Sequence, residues 1–212
     1  LIKKYPFNMT HNYELPVTEF EGIYNTIKKL DLNSTMKIKG LSSGRADIFP
    51  SALAVMKAVL SRFEFSKITV SGCGLREGAM FRYAVPGINE RPLSDVLGHS
   101  IYTQMKYHDL NIAHAEHVYN LSIQLFKQLK VLHKMPRVYV RVLKIAALLH
   151  DSGMRIKFYN HQLHSAYIIL NSNLYGVPHK DIVVAAFVAA GHRKAENARD
   201  EIIKYKDMLE DY

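Results

Sequence analysis

Apolar and polar positions follow two different rhythms along this chain. From residue 14 to residue 84, short segments of unlike period alternate: a helical pattern over 17–30, an extended stretch over 35–38, an apolar helix over 51–63 and a strand over 67–71. A glycine-bearing turn and a short helix over 76–83 complete this half. Alternation of helix and strand predicts an α/β unit. The segment Pro86-Gly87-Ile88-Asn89-Glu90-Arg91-Pro92 is dense in residues that break regular structure and reads as a linker. Beyond it only helical spacing occurs, over 95–106, 112–129, 136–150, 161–171, 179–191 and 199–209. The predicted fold class is therefore α/β plus all-α, with one domain over 1–90 and a second over 91–212.

The strongest chemical signal lies where one of those helices ends. The apolar run Ala146-Ala147-Leu148-Leu149 stops on His150-Asp151-Ser152-Gly153. Desolvating a carboxylate costs several kcal/mol unless a cation or hydrogen-bond donors compensate, and a divalent metal compensates while taking neutral imidazole as a ligand. The competing reading is a helix end at which Asp151 meets a Lys or Arg and His150 is a core histidine. Three further histidines weigh toward the metal. His114, Val118, Leu121 and Leu125 recur at the spacing of one buried stripe, so His114 is expected to point inward, with His117 at the edge of the stripe. Ala185, Val188, Ala189 and His192 share a face, and His164 opens an apolar helix. Several imidazoles converging on one bundle interior are hard to bury without a metal or a phosphate.

Composition narrows the setting. The chain has 212 residues, 48% of them hydrophobic, enough for one large or two small cores. No apolar run approaches the roughly 18 residues of a membrane span, and no charged-then-apolar leader opens the sequence, so no membrane partner and a cytoplasmic location are expected. Cys73 is the single cysteine, which excludes an intrachain disulfide and a paired-cysteine zinc site. A net charge of +9 favours polyanions. The lysines are dispersed, and no zinc-finger, helix-turn-helix or RNA-binding signature occurs, so nucleic acid is not favoured. Two stretches are suited to holding phosphate. One is the strand-to-helix turn with Gly72, Gly74 and Arg76, where a helix N-terminus offers free N–H groups. The other is Arg193-Lys194, a planar fork beside a point charge. In both, the structural alternative is a loop junction or solvated helix end.

These residues also carry a resemblance. The order His114, His150-Asp151, His164, His192 resembles the HD superfamily of metal-dependent phosphohydrolases. The segments His114-Ala115-Glu116-His117-Val118, 148–153, His164-Ser165-Ala166-Tyr167 and His192-Arg193-Lys194 look like the C-terminal half of Ppx/GppA proteins, the exopolyphosphatases and guanosine pentaphosphate phosphohydrolases. Gly40-Leu41 with Arg45-Ala46-Asp47-Ile48-Phe49-Pro50, and Ser71-Gly72-Cys73-Gly74-Leu75-Arg76-Glu77-Gly78, resemble the two signatures that close that family's actin-like domains. The resemblance implies part of an actin-like (ribonuclease H-like) phosphatase domain followed by an HD-type helical bundle. It implies a phosphoanhydride hydrolase acting on polyphosphate or guanosine polyphosphate, with a divalent metal (Mg or Mn) as cofactor, and it admits a homodimer. His114, His150, Asp151, His164 and His192 would hold the metal; Gly72, Gly74, Arg76, Arg193 and Lys194 would hold phosphate.

The chain also departs from the pattern. The family's glycine-rich phosphate loops and its water-activating catalytic carboxylate have no counterpart here, and the resemblance implies that they lie upstream of Leu1. The sequence opens without Met, so it reads as the C-terminal part of a longer protein. A final aspartate ligand is not recognisable among Asp200, Asp207 and Asp211. Two other readings stay open: a helical unit that hydrolyses phosphate through its own metal, and a non-catalytic module that binds a polyanion or alarmone.

Overall fold

The computed structural model describes residues 10–84, 93–193 and 203–209. Tyr13–Gly72 make one compact unit, and the rest of the described chain belongs to a second.

In the first unit, β1 (Glu14–Pro16) pairs antiparallel with β2 (Lys67–Thr69), Leu15 opposite Ile68. Pro16 ends the strand and serves as the N-cap of α1 (Val17–Ile27). Its Phe20 and Ile27 pack with Leu53 and Leu60 of α3 (Phe49–Arg62) and with Leu15 into one small core. Between them lies α2 (Leu32–Met36), where a strand is expected over 35–38. The reason for the difference is local. The Asp31 carboxylate accepts the Ser34 N–H at 2.9 Å, and the Thr35 hydroxyl donates back to the Asp31 carbonyl at 2.8 Å, so capping chemistry overrides the β-branched residue. The short strand β1 carries too few residues for a period-2 signal and escapes sequence reading.

The second unit is helical. It comprises α4 (Leu75–Ala84), α5 (Val96–Tyr107), α6 (Ile112–Gln128), α7 (Lys130–His133), α8 (Tyr139–Leu149), α9 (His161–Asn171), α10 (His179–Ala190) and α11 (Lys206–Leu209). The linker expected over 86–92 and the first half of the helix expected over 199–209 lie outside the described residues. Helix α8 is the centre: Ile145, Ala146, Ala147, Leu148 and Leu149 are all buried, a run that needs apolar neighbours on every side. Those neighbours are α5, α6 and α10, while α9 packs on α10 and on a 3-10 turn at Ser152–Arg155. The chain therefore leaves α8 at His150 and Asp151 still inside the bundle.

Helix α6 differs from its expected packing. Only Ala115 is buried, and Leu121 and Leu125 are 47% and 55% exposed, so the stripe they form with His114 is not a core face.

Candidate metal centre

Four imidazoles from four helix ends meet the carboxylate of Asp151. His150 caps the C-terminus of α8, His161 is the first residue of α9, His192 follows Gly191 at the end of α10, and His114 sits in the first turn of α6. Oδ2 of Asp151 faces Nε2 of His150 at 3.2 Å and Nε2 of His114 at 3.6 Å. Oδ1 faces Nε2 of His161 at 3.2 Å and Nε2 of His192 at 3.9 Å.

Three of these rings are oriented by the same device. Nδ1 of His150 lies 2.9 Å from the Ala147 carbonyl, that of His161 2.9 Å from the Phe158 carbonyl, and that of His192 2.7 Å from the Ala189 carbonyl. A carbonyl oxygen only accepts, so each Nδ1 carries a proton and each Nε2 of a neutral ring presents its lone pair to Asp151. His161 and His192 then turn two acceptor nitrogens toward each other at 3.2 Å. Such an arrangement repels unless a proton or a metal stands between the donors.

The donor set fits a metal. Bonds of about 2.0–2.2 Å put neighbouring ligand atoms roughly 3.0–3.5 Å apart, and the tighter of the observed spacings, 3.2 Å, fall in that range. Two groups of three potential ligands result, His114 with His150 and Asp151, and Asp151 with His161 and His192, and they share the carboxylate. The backbone carbonyls on Nδ1 supply the outer hydrogen bonds that hold ligating histidines in place.

A tight turn holds the cluster together. The Gly153 N–H donates to the Ser165 hydroxyl at 2.8 Å, docking the residues after Asp151 onto the N-terminal half of α9. A Cβ on Gly153 would lie 2.1 Å from the His161 carbonyl oxygen and 2.5 Å from the Ser165 nitrogen, so only glycine fits.

The charges respond to this crowding. The hydrogen bond from His150 holds the Asp151 carboxyl below its ordinary range, and the nearby imidazoles add to that against the opposing effect of burial. Burial works to lower His150, yet its bonds to Asp151 and Ala147 and the charge of Asp151 together outweigh burial and raise it. Burial pushes His192 down, and the neighbouring His150 and His161 push the same way.

Of the residues singled out in the sequence, the structure brings together His114, His150, Asp151 and His192. It does not bring His164 among them; His161 stands there instead. At about 100° per residue, the buried face of α9 carries His161, Gln162, Ser165, Ala166, Ile168 and Ile169, and His164 lies off its edge, only partly buried. Gln162 and Ser165 on that face are polar, so the apolar spacing of the sequence does not single out His161; the packing of α9 does. Arg193 sits at the rim, its guanidinium over the Phe158 ring at 5.8 Å, and Lys194 lies outside the described residues. Gly72, Gly74 and Arg76 are exposed. The Gly74 N–H at the start of α4 already donates to the Glu77 carboxylate at 2.8 Å, which leaves it less free for an anion than expected. The catalytic carboxylate and phosphate loops are expected upstream of Leu1, and Leu1 itself lies outside the described residues.

Comparison with known proteins places these features in a family. The model of the Ppx/GppA phosphatase family matches residues 3–85, and that of Ppx/GppA phosphatase domain III matches residues 98–208. A guanosine-5'-triphosphate,3'-diphosphate pyrophosphatase of Aeromonas salmonicida is 32% identical over 142 residues, covering 66% of this chain and 28% of that protein. A protein of the same name from Pseudoalteromonas translucida is 30% identical over 176 residues, covering 80% of this chain and 32% of that protein. One from Vibrio vulnificus is 26% identical over 160 residues, covering 75% of this chain and 31% of that protein. The chain thus spans about a third or less of the curated relatives it matches, and with both family models fitting in sequence order, it belongs to the Ppx/GppA phosphatase family.

Proposed function

We propose that the protein hydrolyses a terminal phosphoanhydride bond of guanosine 5'-triphosphate 3'-diphosphate. Water would add to the terminal phosphorus and the bridging oxygen would leave on the 5'-diphosphate, with orthophosphate released. The observation that carries this reading is the pair of family matches together with relatives that bear the pyrophosphatase name. Polyphosphate is the second substrate of the same chemistry. In this reading 1–90 is part of an actin-like domain and 91–212 an HD-type bundle, and the carboxylate that activates water is supplied upstream of Leu1.

The role of the helical unit is to hold a divalent cation through Asp151, His150, His161, His192 and His114. When bound there, such an ion supplies positive charge to phosphate oxygens and acidifies water. Imidazole-rich sites suit manganese or another transition ion better than magnesium, which prefers oxygen ligands. Arg193 and Lys194 would offer phosphate a fork and a point charge at the rim. A second reading, hydrolysis by the helical unit itself, is favoured by one observation, the convergence of four imidazole Nε2 atoms on one carboxylate.

Incubating the full-length protein with guanosine 5'-triphosphate 3'-diphosphate tests the proposal. Orthophosphate and the 5'-diphosphate product are expected at equal amounts, and absence of turnover contradicts the proposal. Turnover by the 212-residue chain alone, lost in Asp151→Ala, would instead locate the chemistry in the helical unit.

A further inference from the structure

The connection between α6 and α8 carries an uncommon surface. Residues 117–150 contain no Asp or Glu and six Lys or Arg. Arg141 and Lys144 pair with Asp181 and Asp95. Lys127, Lys130, Lys134 and Arg137 are exposed, and among the described residues no carboxylate pairs with them.

The same stretch is apolar where a surface is ordinarily polar. Val131 and Leu132 are 87% and 79% exposed, and Leu121, Leu125 and Leu129 are each about half exposed. From 124 to 138 every residue is exposed except Phe126 and His133. Those two hold the turn together: their rings lie 4.4 Å apart, and Nε2 of His133 donates to the Phe126 carbonyl at 2.8 Å while its Nδ1 accepts the Met135 N–H at 2.9 Å. Lys134 in the left-handed region ends α7 and turns the chain back. The segment is thus ordered by its own contacts and presents its aliphatic side chains outward.

We propose that this turn docks on an anionic lipid surface, with Val131 and Leu132 entering the interface and the four cations meeting phosphate headgroups. Apolar side chains ringed by cations on a projecting turn match the chemistry of an interfacial anchor, which needs both buried apolar area and attraction to anionic lipid. A second copy of the chain suits the patch poorly, since twofold apposition sets four cations against four. The proposal concerns adsorption: no described helix is long and apolar enough to cross a membrane.

Cosedimentation of the purified chain with vesicles tests it. Binding is expected to vesicles of equal phosphatidylglycerol and phosphatidylcholine and not to phosphatidylcholine alone, and about 0.5 M salt should release it. Each cation strengthens such binding about fivefold, so Lys127→Glu/Lys130→Glu/Lys134→Glu should lower it at least on the order of a hundredfold. Val131→Ser/Leu132→Ser should lower it roughly tenfold. Thermal melts unchanged from the parent chain would show that both variants fold. No binding to the anionic vesicles, or binding that both variants retain, overturns the proposal. So does an apolar variant that only dissolves a dimer, since a second copy would then be the occupant.

Discussion

A carboxylate surrounded by four imidazoles has two ways to be stable, protons or metal, and Asp151 is poised between them. His150 keeps its proton to higher pH than an ordinary imidazole because Asp151 and the Ala147 carbonyl bind the charged ring. A metal competes with that proton for the same nitrogen, so affinity should fall as pH drops and should start falling above the ordinary histidine value of about 6.5. Isothermal titration with Mn over a pH series checks this, and affinity constant across the imidazole range speaks against these ligands. His161→Ala should weaken metal binding on the order of 10–100-fold or more, whereas His164→Ala should leave it near the parent value. Gly153→Ala forces its Cβ against the His161 carbonyl oxygen at 2.1 Å. The expected cost is about 2–4 kcal/mol of stability in denaturant melts. At this scale the sequence was legible where one residue's setting spoke for itself, as in His150 and Asp151 after an apolar run. It failed at His161 against His164, because three residues of spacing left the ligand to be decided by the orientation of the buried face.

Helices supply the frame, and their fastening can be tested separately from the site. Arg141 of α8 pairs with Asp181 of α10, whose side chain is fully buried. Arg141→Met removes the cation from that carboxylate and should destabilise the chain by about 3 kcal/mol. At the start of α5, Asp95 accepts the Gly98 N–H at 2.8 Å and meets Lys144 at 2.7 Å. The bond to Lys144, then that to Gly98, hold its carboxyl below the usual range. Its contribution is present above the unfolded value of about 3.9 and is lost as pH falls through the lower folded value. Asp95→Ala should therefore cost about 1 kcal/mol near neutrality, with the difference shrinking in acid. Guanidinium melts at neutral and acid pH measure it. Long periodic helices such as α8 and α9 were evident from their apolar spacing. The strand expected over 35–38 failed because Asp31 caps a helix there. The stripe on α6 was real in sequence, yet Leu121 and Leu125 face outward, since spacing identifies an apolar face without saying what covers it.

For the whole molecule, the sequence carried more about kinship than about chemistry. Both family segments could be placed from local signatures, Arg45-Ala46-Asp47 with Ser71 to Gly78 and His150-Asp151 with its flanking histidines. Substrate choice was less legible, because the chain spans 28% to 32% of the length of relatives named for a guanosine nucleotide. The claim on which the account of the helical unit depends is the metal at Asp151, and diffraction from crystals grown with Mn tests it most directly. Anomalous density is expected within about 2.0–2.3 Å of an Asp151 oxygen and of Nε2 of His161 and His192 or of His150 and His114. Anomalous density elsewhere with none at Asp151, or full occupancy retained in His161→Ala/Asp151→Ala, would contradict the account.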